Sequence, residues 1–294
     1  MHILVIGGTG PIGRHVVQQL AGAGHEVTVY HRGQTECELT PAVRHMHDAR
    51  AAIPVVYFPP ELLTDPPDVV IHMIAMTQAD AEAAVRAFAG KARRLVVASS
   101  GDVYRAYACF TGLEAGPVQA GLLTEDSPLR TVLYPYRSQS LPDKEWMRDY
   151  EKLLVERAVR GCPDLSGTVL RLPKVYGPGT NADLSTMYGA RHHRRWRWTH
   201  GYVENVAAAI TLAATHPAAG GRIYNVGEAY TPTVEERLRG LPASGLPADE
   251  NYVHYQHDIA YDTSRIRHEL GYQEPVDYAE GLRRTLGRSL ADTA

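Results

Sequence analysis

The chain begins with a short apolar run, His2–Ile6, which leads into Gly7-Gly8-Thr9-Gly10-Pro11-Ile12-Gly13 and then the amphipathic stretch Pro11–Ala23. Ile12, Val16, Val17 and Leu20 recur at helical spacing on that stretch. The order is therefore strand, glycine turn, helix. Glycines at 7, 10 and 13 permit a tight turn, close approach of backbone to a pyrophosphate, and close packing of helix on strand. The N-terminus of the helix then presents N–H groups to the phosphates. A chain that starts this way is expected to be an α/β protein whose first unit binds a dinucleotide.

The pattern continues. Glu26–Tyr30, Asp68–Ile74, Arg94–Ser99 and Gly167–Leu172 read as strands, and Gln78–Ala89 and Asp143–Arg160 as helices. Near-continuous apolar strands alternating with helices predict a doubly wound parallel sheet of the Rossmann type, with helices on both faces. After Tyr176-Gly177-Pro178 come an irregular segment, a helix Val203–Thr215 and a strand Arg222–Val226. Helices near Thr233–Arg239, Thr263–Leu270 and Tyr278–Ser289 follow, with a Pro/Gly-rich loop at 240–247. A smaller, mostly helical C-terminal substrate lobe is expected. Residues 1–175 would form the dinucleotide-binding domain and 176–294 the lobe, the two interleaved.

Composition narrows the partners. The formal net charge of −3 gives no bulk field for nucleic acid or an anionic membrane. No apolar run is long enough to span a bilayer, and no basic n-region with a long apolar h-region opens the chain, so a cytoplasmic location is expected. Three scattered cysteines, Cys37, Cys109 and Cys162, suit neither a disulfide framework nor a metal cluster. One local exception is the basic run His192-His193-Arg194-Arg195-Trp196-Arg197. It could clamp an anionic substrate, although such runs are more often solvated. Its paired histidines have no acidic or Cys partners at ligand spacing, so no metal is assigned.

Which dinucleotide binds depends on the end of the second strand. A carboxylate there would accept hydrogen bonds from a ribose 2′-OH, but the chain has Tyr30-His31-Arg32. A cation suits a 2′-phosphate, so NADP(H) is expected ahead of NAD(H). Arg14 is a second candidate for that phosphate, and Asp48 a candidate for the adenine.

GGTGPIG at 7–13, VVASSGDVY at 96–104, Lys152 with Glu156 one turn on, and RLPKVYGPG at 171–179 together resemble the extended short-chain dehydrogenase/reductase family of NAD-dependent epimerases and dehydratases. WTHGYVENVAAAI at 198–210 and RIYNVG at 222–227 extend the resemblance over nearly the whole chain. It implies hydride chemistry at a nicotinamide. The expected cofactor contacts are Gly7, Thr9, Gly10, Pro11, Ile12, Gly13, Arg14, Arg32, Asp48, Ile74, Ala75, Ser99, Lys152 and Pro173. It also implies that Ser100 bonds the reacting oxygen, that a Tyr moves the proton, and that Lys152 holds the nicotinamide ribose and lowers the Tyr pKa.

The chain departs from the family at one point. The catalytic Tyr should stand four residues before Lys152, where Arg148 stands, and Arg stays charged. Read on a continuous helix, Tyr150 lies about 200° around the axis from Lys152, so a packing role is expected for it. Tyr136, in Pro135-Tyr136-Arg137-Ser138, and Asp102, two residues before Tyr104, remain as proton-transfer candidates beside Ser100 and Lys152. Asp102 could equally be a strand-end residue capping the next turn.

Sixteen residues separate Gly179 from Trp196, which is short for an enzyme holding a large nucleotide sugar. The expected reading is an NADP(H)-dependent oxidoreductase, epimerase or dehydratase acting on a small hydroxylated or carbonyl compound. The alternative is a non-catalytic dinucleotide-binding sensor or RNA-binding protein of the same fold, motivated by Arg148. The acidic net balance weighs against RNA. Family members often dimerise through the Lys-bearing helix, which makes a homodimer through 143–160 the assembly to test.

Overall fold

The structure, a computed structural model, describes residues 1–35, 40–139, 142–249 and 254–287. In chain order it runs β1 (His2–Ile6), α1 (Gly13–Gly22), β2 (Glu26–His31), β3 (Arg44–His47), α2 (Glu61–Thr64), β4 (Val69–His72), α3 (Gln78–Phe88), β5 (Arg94–Ser100) and α4 (Arg105–Phe110). Then come α5 (Lys152–Arg160), β6 (Ser166–Leu172), β7 (Lys174–Tyr176), α6 (Ser185–Gly189), β8 (His200–Tyr202), α7 (Val203–Thr215), β9 (Ile223–Asn225), α8 (Val234–Arg239), α9 (Ser264–Leu270) and α10 (Tyr278–Leu286). Cys37 and Ser289 lie outside the described residues.

Seven parallel strands in the order β3-β2-β1-β4-β5-β6-β9 form the sheet. Strand side chains alternate between faces, and here both sets are apolar. Ile3 and Val5 pack under α1 and α7, whereas Leu4 and Ile6 pack under α3 and α5. Each such side chain taken from water contributes about 1.5–3 kcal/mol, which is why the strands read as unbroken apolar runs. The chain crosses from β1 to both neighbours, so the order reverses between β1 and β4. The crevice above that switch point, at the strands' carboxyl ends, is where doubly wound sheets bind ligands.

Residues beyond 176 are not a separate body. β9 closes the sheet edge beside β6, and α7 lies against α1. The remainder forms the mostly helical lobe, with β7 and β8 paired as a two-stranded parallel ribbon at its root. No helix among the described residues is long and apolar enough to cross a membrane.

One helix differs from expectation. Instead of a continuous helix over 143–160, two 3₁₀ turns over Pro142–Asp149, broken by extended backbone at Lys144, precede a short bridge of Tyr150 to Thr77. α5 then starts at Lys152, with Glu151 as its N-cap accepting from the Leu153 amide at 2.9 Å. The cause is the Glu151 carboxylate. It forks onto Arg130 at 2.5 and 2.9 Å, with both side chains wholly buried, and also accepts from the Tyr134 amide at 2.6 Å. That fixture holds residue 151 in a non-helical conformation (φ −160°, ψ 89°).

Candidate active site

The glycine turn forms a tight cradle. Gly7 sits at φ +79°, open to glycine without strain, and its amide donates to the Tyr30 carbonyl at 3.1 Å. A Cβ on Gly13 would stand 2.8 Å from the Gly7 carbonyl and the Gly8 backbone, so α1 can approach β1 only with glycine there. A Cβ on Gly10 would meet nothing within 4 Å, which leaves the outer side of the turn open. No side chain caps α1 and its first turn holds no acidic residue, so its positive end remains available to an anion. These features fit a dinucleotide pyrophosphate.

Beside the turn lies a cavity of about 160 Å³ lined by Gly7, Thr9, Gly10, His31, Arg32 and Ile74, among others. Pro11 is exposed and Ile12 half-buried along the same turn. Arg14 points elsewhere. Its guanidinium donates to the Pro178 carbonyl at 3.2 Å, because its place in the first turn of α1 faces the loop after β7 rather than the end of β2. The Asp48 carboxylate is taken up by Arg50 at 2.7 Å, which holds its pKa below the ordinary carboxylate value. Ser99 turns inward to Glu156 at 2.5 Å, and Pro173 packs against Gly201 and Gly227. These four are thus occupied in ways the sequence did not indicate.

Lys152 is buried at the next turn of the crevice. Its Nζ donates to the Ala75 and Ala98 carbonyls, both at 2.8 Å, and so ties the ends of β4 and β5 together. An ammonium carries three donors, and two are used. Burial pulls its pKa down to about 8, against the raising influence of Asp102, Asp80 and Glu156. His72, directly below at the end of β4, is driven down to about 3 by its own burial and then by Lys152, so it is neutral.

The reaction end is built on the last residue of β5. Ser100 caps the turn Gly101–Val103, its Oγ accepting from the Asp102 amide at 3.3 Å. Residue 101 must be glycine, because a Cβ would lie 1.6 Å from the Tyr261 hydroxyl. Asp102 is buried, and burial raises its carboxyl pKa. Tyr136 Oη donates to Asp102 Oδ2 at 3.3 Å.

Tyr150 is the residue that sequence reasoning misplaced. It does not lie on a helix with Lys152 and does not face away from it. The bridge to Thr77 turns its ring inward, buried, 5.2 Å from the Tyr136 ring and 5.8 Å from Lys152 Nζ. Ser100 and Asp102 lie close enough to influence its hydroxyl. Burial, then the Asp102 charge, pushes the Tyr150 pKa well up, as it does for Tyr136. Both phenols are therefore protonated at neutral pH. The usable signal was the proline-rich, non-periodic stretch before Lys152, which argues against the continuous helix on which the 200° reading rests.

Around this group two buried ion pairs hold the strands' ends. Arg130 braces the Asp102 carbonyl at 2.9 Å as well as Glu151. Arg171 forks onto Glu156 at 2.8 and 3.1 Å and also reaches Tyr104 Oη and the Glu125 carbonyl. In the basic run, His192 to Arg195 are exposed and Trp196 and Arg197 turn inward. Trp196 is buried, stacked on Phe110 at 4.8 Å, while Arg194 pairs with Glu235 and Arg197 with Asp258. His193 stacks on Tyr255 at 3.5 Å.

Comparison with known proteins agrees with this fold. The profile of the family described as NAD dependent epimerase/dehydratase matches residues 3–227. A 3-diazoavenalumate denitrifying reductase from a Streptomyces species is 27% identical over 190 residues, 61% of this chain and 58% of that protein. A dTDP-glucose 4,6-dehydratase from Streptomyces griseus is 28% identical over 195 residues, 58% of this chain and 54% of that protein. The chain thus spans little more than half the length of these curated relatives. Among solved structures, an NAD-dependent NDP-hexosamine 5,6-dehydratase superposes with a TM-score of 0.69 at 20% identity, covering 99% of this chain and 100% of that one. The UDP-glucose 4-epimerase of Thermus thermophilus in complex with NAD gives 0.65 at 20% identity, covering all of both chains. At these identities the likeness is one of fold.

Proposed function

This chain belongs to the NAD-dependent epimerase/dehydratase family of extended short-chain dehydrogenases/reductases, and from that premise we propose that it is a nicotinamide-dependent enzyme acting at a hydroxyl- or carbonyl-bearing carbon of a small molecule. The observation that carries this is the gathering of Ser100, Asp102, Tyr136 and Tyr150 at the end of β5, with Lys152 Nζ 5.8 Å from the Tyr150 ring. This supports a catalytic over a non-catalytic reading, since a tyrosine lies beside Lys152 despite Arg148.

When bound, the dinucleotide supplies or accepts the hydride. Ser100 holds the substrate oxygen. Tyr150, protonated at neutral pH, donates its proton to that oxygen in the reducing direction. Asp102, buried beside both phenols, can take up or return the proton, and Tyr136 orients it. Lys152 has one donor left for the nicotinamide ribose and supplies positive charge near the phenol. The turn 7–13 and the uncapped start of α1 would hold the pyrophosphate. Arg32, which lines the cavity beside the glycine turn, would meet a 2′-phosphate on the far ribose, so NADP(H) is the form proposed. The bound NAD named for the Thermus thermophilus epimerase makes NAD(H) the form to compare it with.

The test is a pair of titrations with NADPH and NADH, followed by a substrate panel. Arg32→Ala is expected to weaken NADPH about tenfold, the loss of one charge-assisted contact of about 1.5 kcal/mol, and to leave NADH unchanged. An equal fall for both cofactors would remove the 2′-phosphate assignment. The panel is read at 340 nm for net redox and by NMR for redox-neutral epimerisation or elimination, with nucleotide sugars included. The absence of any turnover in a protein that binds the dinucleotide would overturn the enzymatic reading.

The pH profile is a further expectation. Lys152 carries its charge below about pH 8 and loses it above. Activity should therefore decline as pH rises through about 8. Lys152→Arg should remove that limb, because guanidinium stays charged.

A further inference from the structure

Three histidines, one of which lines the cavity beside the glycine turn, meet at the edge of the sheet. β2 and β3 pair in parallel with His31 opposite His47 and Val29 opposite His45. Residues two apart on a strand share a face, so His45 and His47 stand side by side with His31 across from them. The ring centroids are 4.2 Å apart for His31 and His47, 5.3 Å for His31 and His45, and 5.8 Å for His45 and His47. One ring nitrogen from each lies within 4.8 Å of the others. His31 Nε2 and His45 Nδ1 share a hydrogen bond at 3.1 Å, whose proton a metal ion would displace.

We propose that His31, His45 and His47 bind a divalent transition-metal ion of the zinc type. Two imidazole nitrogens on one tetrahedral zinc, each at about 2.0–2.1 Å, stand about 3.3–3.4 Å from each other. The His31–His45 pair is within a few tenths of an ångström of that separation. His47 must close the remaining gap, and its exposed side chain can turn to do so. Three neutral imidazoles suit Zn²⁺, and equally Co²⁺ as a spectroscopic substitute, rather than Mg²⁺ or Ca²⁺, which take oxygen ligands. His31 is 4% exposed whereas His45 and His47 face solvent, so the site has a rigid buried ligand and an open side where water completes the shell. His31 also lines the cavity beside the glycine turn, so the ion would sit at the edge of the dinucleotide cleft. Spacings of 14 and 2 along the chain resemble no metal motif, and only strand register brings the three together.

The test uses the full chain without a polyhistidine tag and without dinucleotide, so its outcome is independent of the cofactor reading. Zn²⁺ is titrated against a chromophoric chelator, and Co²⁺ is followed by its visible ligand-field bands. Both are done for the wild type, for His45→Gln and His47→Gln, and for a His192→Gln/His193→Gln control. Expected are one saturable equivalent and tetrahedral-type Co²⁺ bands in the wild type and in the control. Each of the two single variants should lose on the order of 10²-fold in affinity, since removal of a ligand should match or exceed the loss from its supporting shell. The two substituted side chains are exposed, so folding is not at stake. Loss of affinity in the control instead, equal affinity in all variants, or no saturable equivalent in the wild type would overturn the proposal.

Discussion

Tyr150→Phe is expected to lower kcat by about 10²–10⁴-fold, the usual contribution of a positioned proton donor, while dinucleotide affinity stays within a few-fold of wild type. The substitution removes one oxygen and keeps the ring against Tyr136 and Lys152, so packing is preserved. Tyr136→Phe should have a smaller effect. Its hydroxyl meets Asp102 at 3.3 Å but serves the substrate oxygen only through that carboxyl group. The comparison is made on single-turnover rates with cofactor saturating, and thermal melts confirm that both variants are folded. If Tyr136→Phe loses the rate and Tyr150→Phe does not, Tyr136 is the proton donor. The bridge at Thr77 then merely packs the Tyr150 ring.

The second large effect is on stability. Arg171→Met should cost about 3–5 kcal/mol, because it strands the Glu156 carboxylate inside the protein with only Ser99 to satisfy it. Arg171 is 1% exposed and its guanidinium serves Glu156, Tyr104 and the Glu125 carbonyl together. For a chain of this size the loss corresponds to a fall in Tm on the order of ten degrees. Arg171→Met/Glu156→Leu should recover much of it, since replacing both charges with apolar groups leaves nothing unpaired. Denaturant melts of the single and double variants decide this. A double variant no more stable than Arg171→Met would mean that the lost contacts to Tyr104 and Glu125, not the stranded charge, carry the effect.

The basic run is solvated over His192 to Arg195, but it does not stay so. Six consecutive residues of His, Arg and Trp read as a surface that could hold an anion, yet Trp196 is among the anchors of the C-terminal core. Two of its arginines are committed to ion pairs with Glu235 and Asp258. Those partners lie about forty and sixty residues away, beyond the reach of any local pattern.

What the sequence determined by itself was everything carried by short-range periodicity and backbone stereochemistry. Two-sided apolar strands, 3.6-residue helices and the spacing Gly7–Gly10–Gly13 each act within about a dozen residues. The parallel sheet, the glycine cradle and helices such as Val203–Thr215 were therefore legible before any contact was known. Ser100 and Lys152 entered as candidates through the family resemblance rather than through any local pattern. What only the tertiary structure decided rests on contacts between distant segments. The Arg130–Glu151 pair, 21 residues apart, starts α5 at Lys152 and so leaves Tyr150 off the helix, beside Tyr136 and Lys152. The register of β2 on β3 likewise gathers His31, His45 and His47. A helix start fixed by a buried charge, and a cluster fixed by strand register, are set by the energy of the folded whole, which no window of sequence contains.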